Sequence, residues 1–93
     1  MTAKSGQTVV TTAGTAVALG TGEVRCGVLV KALDTNTGVV AVGNDGADDV
    51  TVSNGLRLAA GGEIVFHLVR FLQNLRVDAA VNGEGVSWIL LSV

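Results

Sequence analysis

Glu23-Val24-Arg25-Cys26-Gly27-Val28-Leu29-Val30-Lys31-Ala32-Leu33 runs into Asp34-Thr35-Asn36-Thr37-Gly38 and leaves it through Val39-Val40-Ala41-Val42-Gly43. In the first stretch Val24, Val28, Val30 and Ala32 share one face, and Arg25, Leu29, Lys31 and Leu33 share the other. A period of two with one purely apolar face and one mixed face predicts a strand half-buried against a core. Asp34 to Gly38 has the composition of a hairpin loop, because Asn and Gly adopt the turn conformations that branched residues resist. The returning strand, with Val39, Val40 and Val42, carries so little polar surface that packing on both faces is expected.

The same grammar continues in both directions. Gly43-Asn44-Asp45-Gly46, Ser53-Asn54-Gly55, Gly61-Gly62-Glu63 and Asn82-Gly83-Glu84-Gly85 punctuate segments rich in Val, Leu and Ile. Strands are predicted over 7–12, 16–19, 23–33, 39–43, 50–52, 55–60, 63–69, 75–81 and 86–93. Arg70-Phe71-Leu72-Gln73-Asn74 reads as one helical turn or an irregular corner. About seven to nine short strands at intervals of roughly 8–12 residues predict an all-β fold, a small sandwich or jelly-roll-like barrel. Residues 1–6 are small and polar and read as a flexible N-terminal arm, leaving 7–93 as a single β domain.

Composition narrows the function. Cys26 is the only cysteine and His67 the only histidine, so an intramolecular disulfide is impossible and a Cys/His zinc site within one chain is disfavoured. Hydrophobic residues make up 48% and charged residues only 15%, against roughly 25% charged in an ordinary domain. The surplus predicts apolar surface buried between subunits. A net charge of -2 with scattered Lys and Arg argues against a nucleic-acid partner, which requires a clustered basic patch. No apolar run reaches the roughly 18 residues that cross a bilayer, and the opening residues lack a signal peptide's hydrophobic stretch, so neither a membrane nor export is expected. A free thiol fits folding in a reducing cytoplasm.

Few residues carry reactive chemistry. Asp45, Asp48 and Asp49 resemble a calcium loop only loosely, because the alternate ligands and the closing glutamate are missing; a solvated loop is the expectation. His67 alternates with Ile64, Phe66 and Leu68 and has no Ser, Cys or carboxylate partner in register, which favours a structural role. Cys26 has no nearby base, and the glycine turns lack the phosphate-loop and dinucleotide patterns. The chain is therefore expected not to be an enzyme, and no cofactor or metal is expected. Trp88 reads as a core or interface anchor rather than a sugar platform, since sugar-binding modules present several exposed aromatics. Leu29, Leu33, Val65 and Val69 lie opposite the purer apolar faces of their strands and are candidates for an oligomer interface. Arg70, Phe71 and Arg76 are candidates for partner contact, as an anchor with a basic rim.

Val30-Lys31-Ala32, Asn36-Thr37-Gly38, Val40-Ala41-Val42-Gly43, Ser53-Asn54-Gly55, Leu58-Ala59-Ala60-Gly61-Gly62-Glu63 and Gly85-Val86-Ser87-Trp88 together resemble a family of small β-rich virion proteins of tailed bacteriophages. Such chains serve as head-decoration, cement or fibre-associated components. The resemblance spans about Glu23 to Trp88 and departs at Ala41, where an aromatic is frequent, and at Gly61, where a proline is frequent. It implies a structural protein made in the host cytoplasm and residing in the virion, a homo-oligomer, expected to be a trimer, that bridges subunits of the major capsid protein. A tail or fibre-base component is the alternative among virion proteins. A carbohydrate-binding module is the alternative from another class.

Overall fold

The computed structural model describes residues 4–43, 50–67 and 69–91. Among these residues eight strands follow one another: β1 (Ser5–Val10), β2 (Val17–Ala18), β3 (Val28–Ala32), β4 (Val40–Gly43), β5 (Leu56–Leu58), β6 (Glu63–Phe66), β7 (Arg76–Ala79) and β8 (Glu84–Leu90), with a 3-10 turn at Leu72–Asn74 before β7. They form two antiparallel sheets of four, ordered β1-β8-β3-β6 and β2-β7-β4-β5. Four of the pairings, β1 with β8, β2 with β7, β3 with β6 and β4 with β5, are those of one long hairpin folded about the β4–β5 connection. Rolling that hairpin sets β8 beside β3 and β7 beside β4. The result is a jelly roll, the architecture in which two Greek-key sheets enclose one core.

The core is what the alternation predicts. Val24, Val28, Val30 and Ala32 are buried together with Val40, Val42, Leu58, Val77, Ala79, Val86 and Trp88, joined by Val10, Leu19, Leu72 and Leu75 from the remaining elements. β4 is buried on both faces. Val40 and Val42 point into the core, while Ala41 on the opposite face is fully covered and meets the loop carrying Val50 and Gly55.

Trp88 is the largest member of this core and shows how glycine placement serves packing. Its β1 partner is Gly6, and a Cβ there would stand 2.8 Å from the indole Cζ2; a Cβ on Gly20 would stand 3.1 Å from the same atom. The ring thus lies flat across two residues that offer no side chain. Its Nε1 donates to Thr8 Oγ1 at 3.2 Å, and the Thr8 hydroxyl in turn donates to the carbonyl of Leu19. A buried indole N–H needs such a partner, and the chain of bonds also ties β1 to the end of β2.

The structure departs from the sequence reading at several points, the first being that the strand predicted from Glu23 begins only at Val28, because the chain turns at Gly27, whose φ is 115°. Ser5 and Gly6, assigned to the arm, pair with Ile89 and Trp88 in β1, and the carbonyl of Lys4 accepts from Leu90 N–H; Met1 to Ala3 lie outside the described residues. Asp34 to Gly38 is not a hairpin but a crossover from one sheet to the other, since β3 and β4 face each other across the core. Asn36 makes that crossover possible: it is buried, its Nδ2 donates to Gly85 O at 2.9 Å, and its Oδ1 accepts from Gly85 N–H at 3.3 Å, so one amide side chain does the work of a strand neighbour. Residues 50–52 form no strand; Thr51 is held in a turn by Asn54 Oδ1, and Val50 is buried against the outer side of β4. β6 ends at Phe66, short of the predicted Val69.

Candidate functional site

Because successive strands run antiparallel, the connections fall at two ends of the sandwich. One end gathers residues 11–16, 33–39, 59–62 and 80–83, and hydrogen bonds link these connections to one another and to the strands beside them. Ala13 N–H donates to Asn82 Oδ1, and Gly14 N–H donates to the carboxylate of Asp78. Asp78 is only 2% exposed. Glu84 receives the backbone N–H groups of Gly38 and Thr37 at 2.9 and 2.7 Å, together with the Thr37 hydroxyl. The backbone donors of Gly38, then of Thr37, hold the Glu84 carboxyl below the ordinary carboxylate range, against an opposing contribution from desolvation and with a lesser lowering by the Thr37 hydroxyl. This arrangement is a clamp on the crossover, since both oxygens of the Glu84 carboxylate accept from the protein's own donors.

The other end carries the residues expected to meet a partner. Val24 N–H donates to Arg70 O, Leu72 N–H to Gly22 O and Gly22 N–H to Gln73 Oε1, and Glu23 bridges to Phe71, so the two connections 19–27 and 67–75 brace each other. Arg70 is exposed and its guanidinium lies 5.5 Å from the centre of the Phe71 ring, a cation–π contact that presents both groups at one corner. Lys4 Nζ reaches Thr21 O, and Arg25 pairs with Glu23 at 3.0 Å, both largely exposed. Such an exposed pair adds little stability. Arg76 stands apart from Arg70 and Phe71: it opens β7, opposite Ala18 and Gly43, and since Val77 enters the core Arg76 belongs to the outer face of the other sheet. The corner thus consists of Arg70 and Phe71.

The residues expected at an oligomer interface also divide. In the β1-β8-β3-β6 sheet, inward Trp88, Val30 and Ile64 alternate with outward neighbours. The registers place Ile89 between Ser5 and Leu29, and Leu29 beside Val65. Ile89, Leu29 and Val65 therefore form an apolar row across three strands of the outer face, with Ile89 36% exposed. The next row, Gln7, Ser87, Lys31 and Glu63, is polar. Leu33 continues the alternation one step past β3, where its N–H donates to Gly85 O. Val69 is a different case: it packs against the core, because β6 stops before it and the alternation that placed it beside Val65 is broken. Ile89 was missed as a surface residue, although its position next to core Trp88 in a strand carries the signal.

His67 is exposed at the end of β6 and Cys26 is a half-buried free thiol. Among the described residues no three of His, Cys, Asp and Glu come together in a way that could hold a metal ion. Asp45, Asp48 and Asp49 lie outside the described residues. No family model matches the chain, and neither a curated protein nor a solved structure matches it at a significant level.

Proposed function

We propose that this chain is a non-enzymatic structural protein of a bacteriophage virion, a capsid decoration or cement protein that oligomerises and binds the assembled head. The observation that carries the reading is the apolar row Ile89, Leu29 and Val65 on the outer face of the jelly roll, a contiguous apolar surface suited to a second subunit. The resemblance of the turn motifs to those of phage virion proteins suggests the biological setting. Arg70 and Phe71 offer a second surface, at the end of the sandwich, suited to a neighbouring shell subunit.

The mechanism is mass action. A protein that binds the assembled shell and not its dissociated subunits shifts the balance toward the shell, by a free energy that grows with the logarithm of its concentration over the dissociation constant. Oligomerisation, expected as a trimer, multiplies the contacts per bound unit, so modest individual contacts give tight attachment.

Cosedimentation of the purified protein with phage heads stripped of accessory proteins tests the reading, with light scattering to report the free protein's mass. Wild-type protein is expected to associate with itself and to sediment with the heads. Leu29→Lys, in the middle of the apolar row, is expected to lose the association made through that row while keeping its β-sheet circular dichroism. Wild-type protein that stays in the supernatant at every concentration would refute the proposal.

A further inference from the structure

A sheet that does not close has edges, and each edge strand exposes backbone groups that can pair with another chain. The jelly roll has four: β1 and β6 in one sheet, β2 and β5 in the other. Three are blunted. β2 has two residues, β5 has three and carries exposed Arg57, and β6 has four and begins with exposed Glu63. β1, Ser5-Gly6-Gln7-Thr8-Val9-Val10, is six residues long and has neither a charge nor a proline. It lacks the devices by which natural edges avoid pairing.

The hydrogen-bond register shows which groups of β1 are available. Leu90 N–H donates to Lys4 O, so Lys4, Gly6 and Thr8 turn their backbone groups toward β8. The opposite parity on β8 is confirmed by Leu33 N–H donating to Gly85 O and Leu91 N–H to Gly27 O: odd-numbered residues of β8 serve β3, even-numbered ones serve β1. In an antiparallel ladder the intervening residues point the other way. Ser5, Gln7 and Val9 therefore aim three N–H and three C=O groups away from the sheet. Their side chains are exposed, Val9 at 44%.

We propose that β1 is the pairing edge for β1 of a second copy of this chain, across a two-fold axis through Gln7. An antiparallel strand is its own complement under such an axis, and this register sets Gln7 opposite Gln7 and Ser5 opposite Val9, with all six outward groups bonded. No like charges meet, because the strand has none. Two four-stranded sheets become one continuous sheet of eight, whose only remaining edges are the two β6 strands with their glutamates. That termination is why the occupant is one further copy rather than a growing filament. The contact uses the backbone edge and not the apolar row, so it is independent of the capsid reading.

The test is solution mass with residue-resolved amide exchange, on Leu29→Lys so that the face contact does not contribute. At about 100 µM this variant is expected to have twice the 9.4 kDa chain mass. On dilution to monomer, the amides of Ser5, Gln7 and Val9 should exchange at least tenfold faster, while those of Gly6 and Thr8, bonded to β8, should not change. Gln7→Pro on that background removes one outward N–H and leaves the β8 ladder intact, as prolines on edge strands do; it is expected to be monomeric with unchanged circular dichroism. A monomeric Leu29→Lys protein at 100 µM would overturn the proposal, as would a dimer that persists in folded Gln7→Pro. If Gln7→Pro does not fold, the exchange pattern decides: concentration dependence at Ser5, Gln7 and Val9 supports the pairing, and its absence rejects it.

Discussion

Replacement of Trp88 by Ala examines the packing logic of the whole fold. The indole is 8% exposed, lies across Gly6 and Gly20, touches the core alongside Leu72, and supplies the N–H that occupies Thr8 Oγ1. Truncation of a buried large aromatic costs about 3–5 kcal/mol through lost burial and the cavity left behind. The upper part of that range is expected here, because glycine neighbours have no side chains with which to fill the space. For a domain of this size a total stability of roughly 5–14 kcal/mol is typical, so the variant forfeits a large share of it. At about 4–8 °C per kcal/mol the melting temperature should fall by at least ~12 °C. Thermal unfolding followed by far-ultraviolet circular dichroism measures this without needing the lost fluorophore. Trp88→Phe separates the contributions: it keeps most of the apolar contact and loses the hydrogen bond, with an expected cost of about 1–2 kcal/mol. A Trp88→Ala protein that melts within ~3 °C of wild type would show that the ring does not anchor the core and that the account of Gly6 and Gly20 is wrong.

Two further predictions concern the clamp and the close approach of strands. The Glu84 carboxyl is held below its ordinary value by the Gly38 and Thr37 donors, so it contributes stability that is present above the unfolded-state pKa and is lost as pH falls through the lower folded-state value. Melting temperatures of Glu84→Gln and wild type should differ most near neutral pH and converge in acid; a constant difference from pH 7 to pH 2.5 would contradict the assignment. A Cβ at Gly85 would fall within the van der Waals envelope of the Thr8 carbonyl oxygen and 2.8 Å from Val9 Cα. Gly85→Ala must then push β1 away from β8, at a cost of about 1–3 kcal/mol, and amide exchange of residues 6 and 8 should accelerate while β4 and β7 keep their protection.

The sequence by itself was enough for the class of fold and for most of the core. Alternation placed Val28, Val30 and Ala32 on one face, and they are buried together in β3, whereas Val24 reaches the core from the irregular segment before that strand. Alternation also placed Leu29 and Val65 on the opposite face, where the registers align them. These are consequences of the two-residue period of a strand, which is local and therefore legible. Where a strand ends is less so: β6 stops at Phe66, and with it goes the inference that Val69 faces outward.

Which strands become neighbours was decided only by the tertiary structure. Asp34 to Gly38 has hairpin composition, yet it crosses between sheets because Asn36 finds Gly85, 49 residues away, to satisfy its buried amide. Ser5 and Gly6 look like the end of a polar arm until Trp88 supplies the surface that covers Gly6. The apolar row of Ile89, Leu29 and Val65 likewise exists only once β8 and β6 flank β3. Local sequence sets the period of each strand because sterics act between adjacent residues, whereas partner and register follow from burial and hydrogen bonding among residues brought together by the roll of the chain.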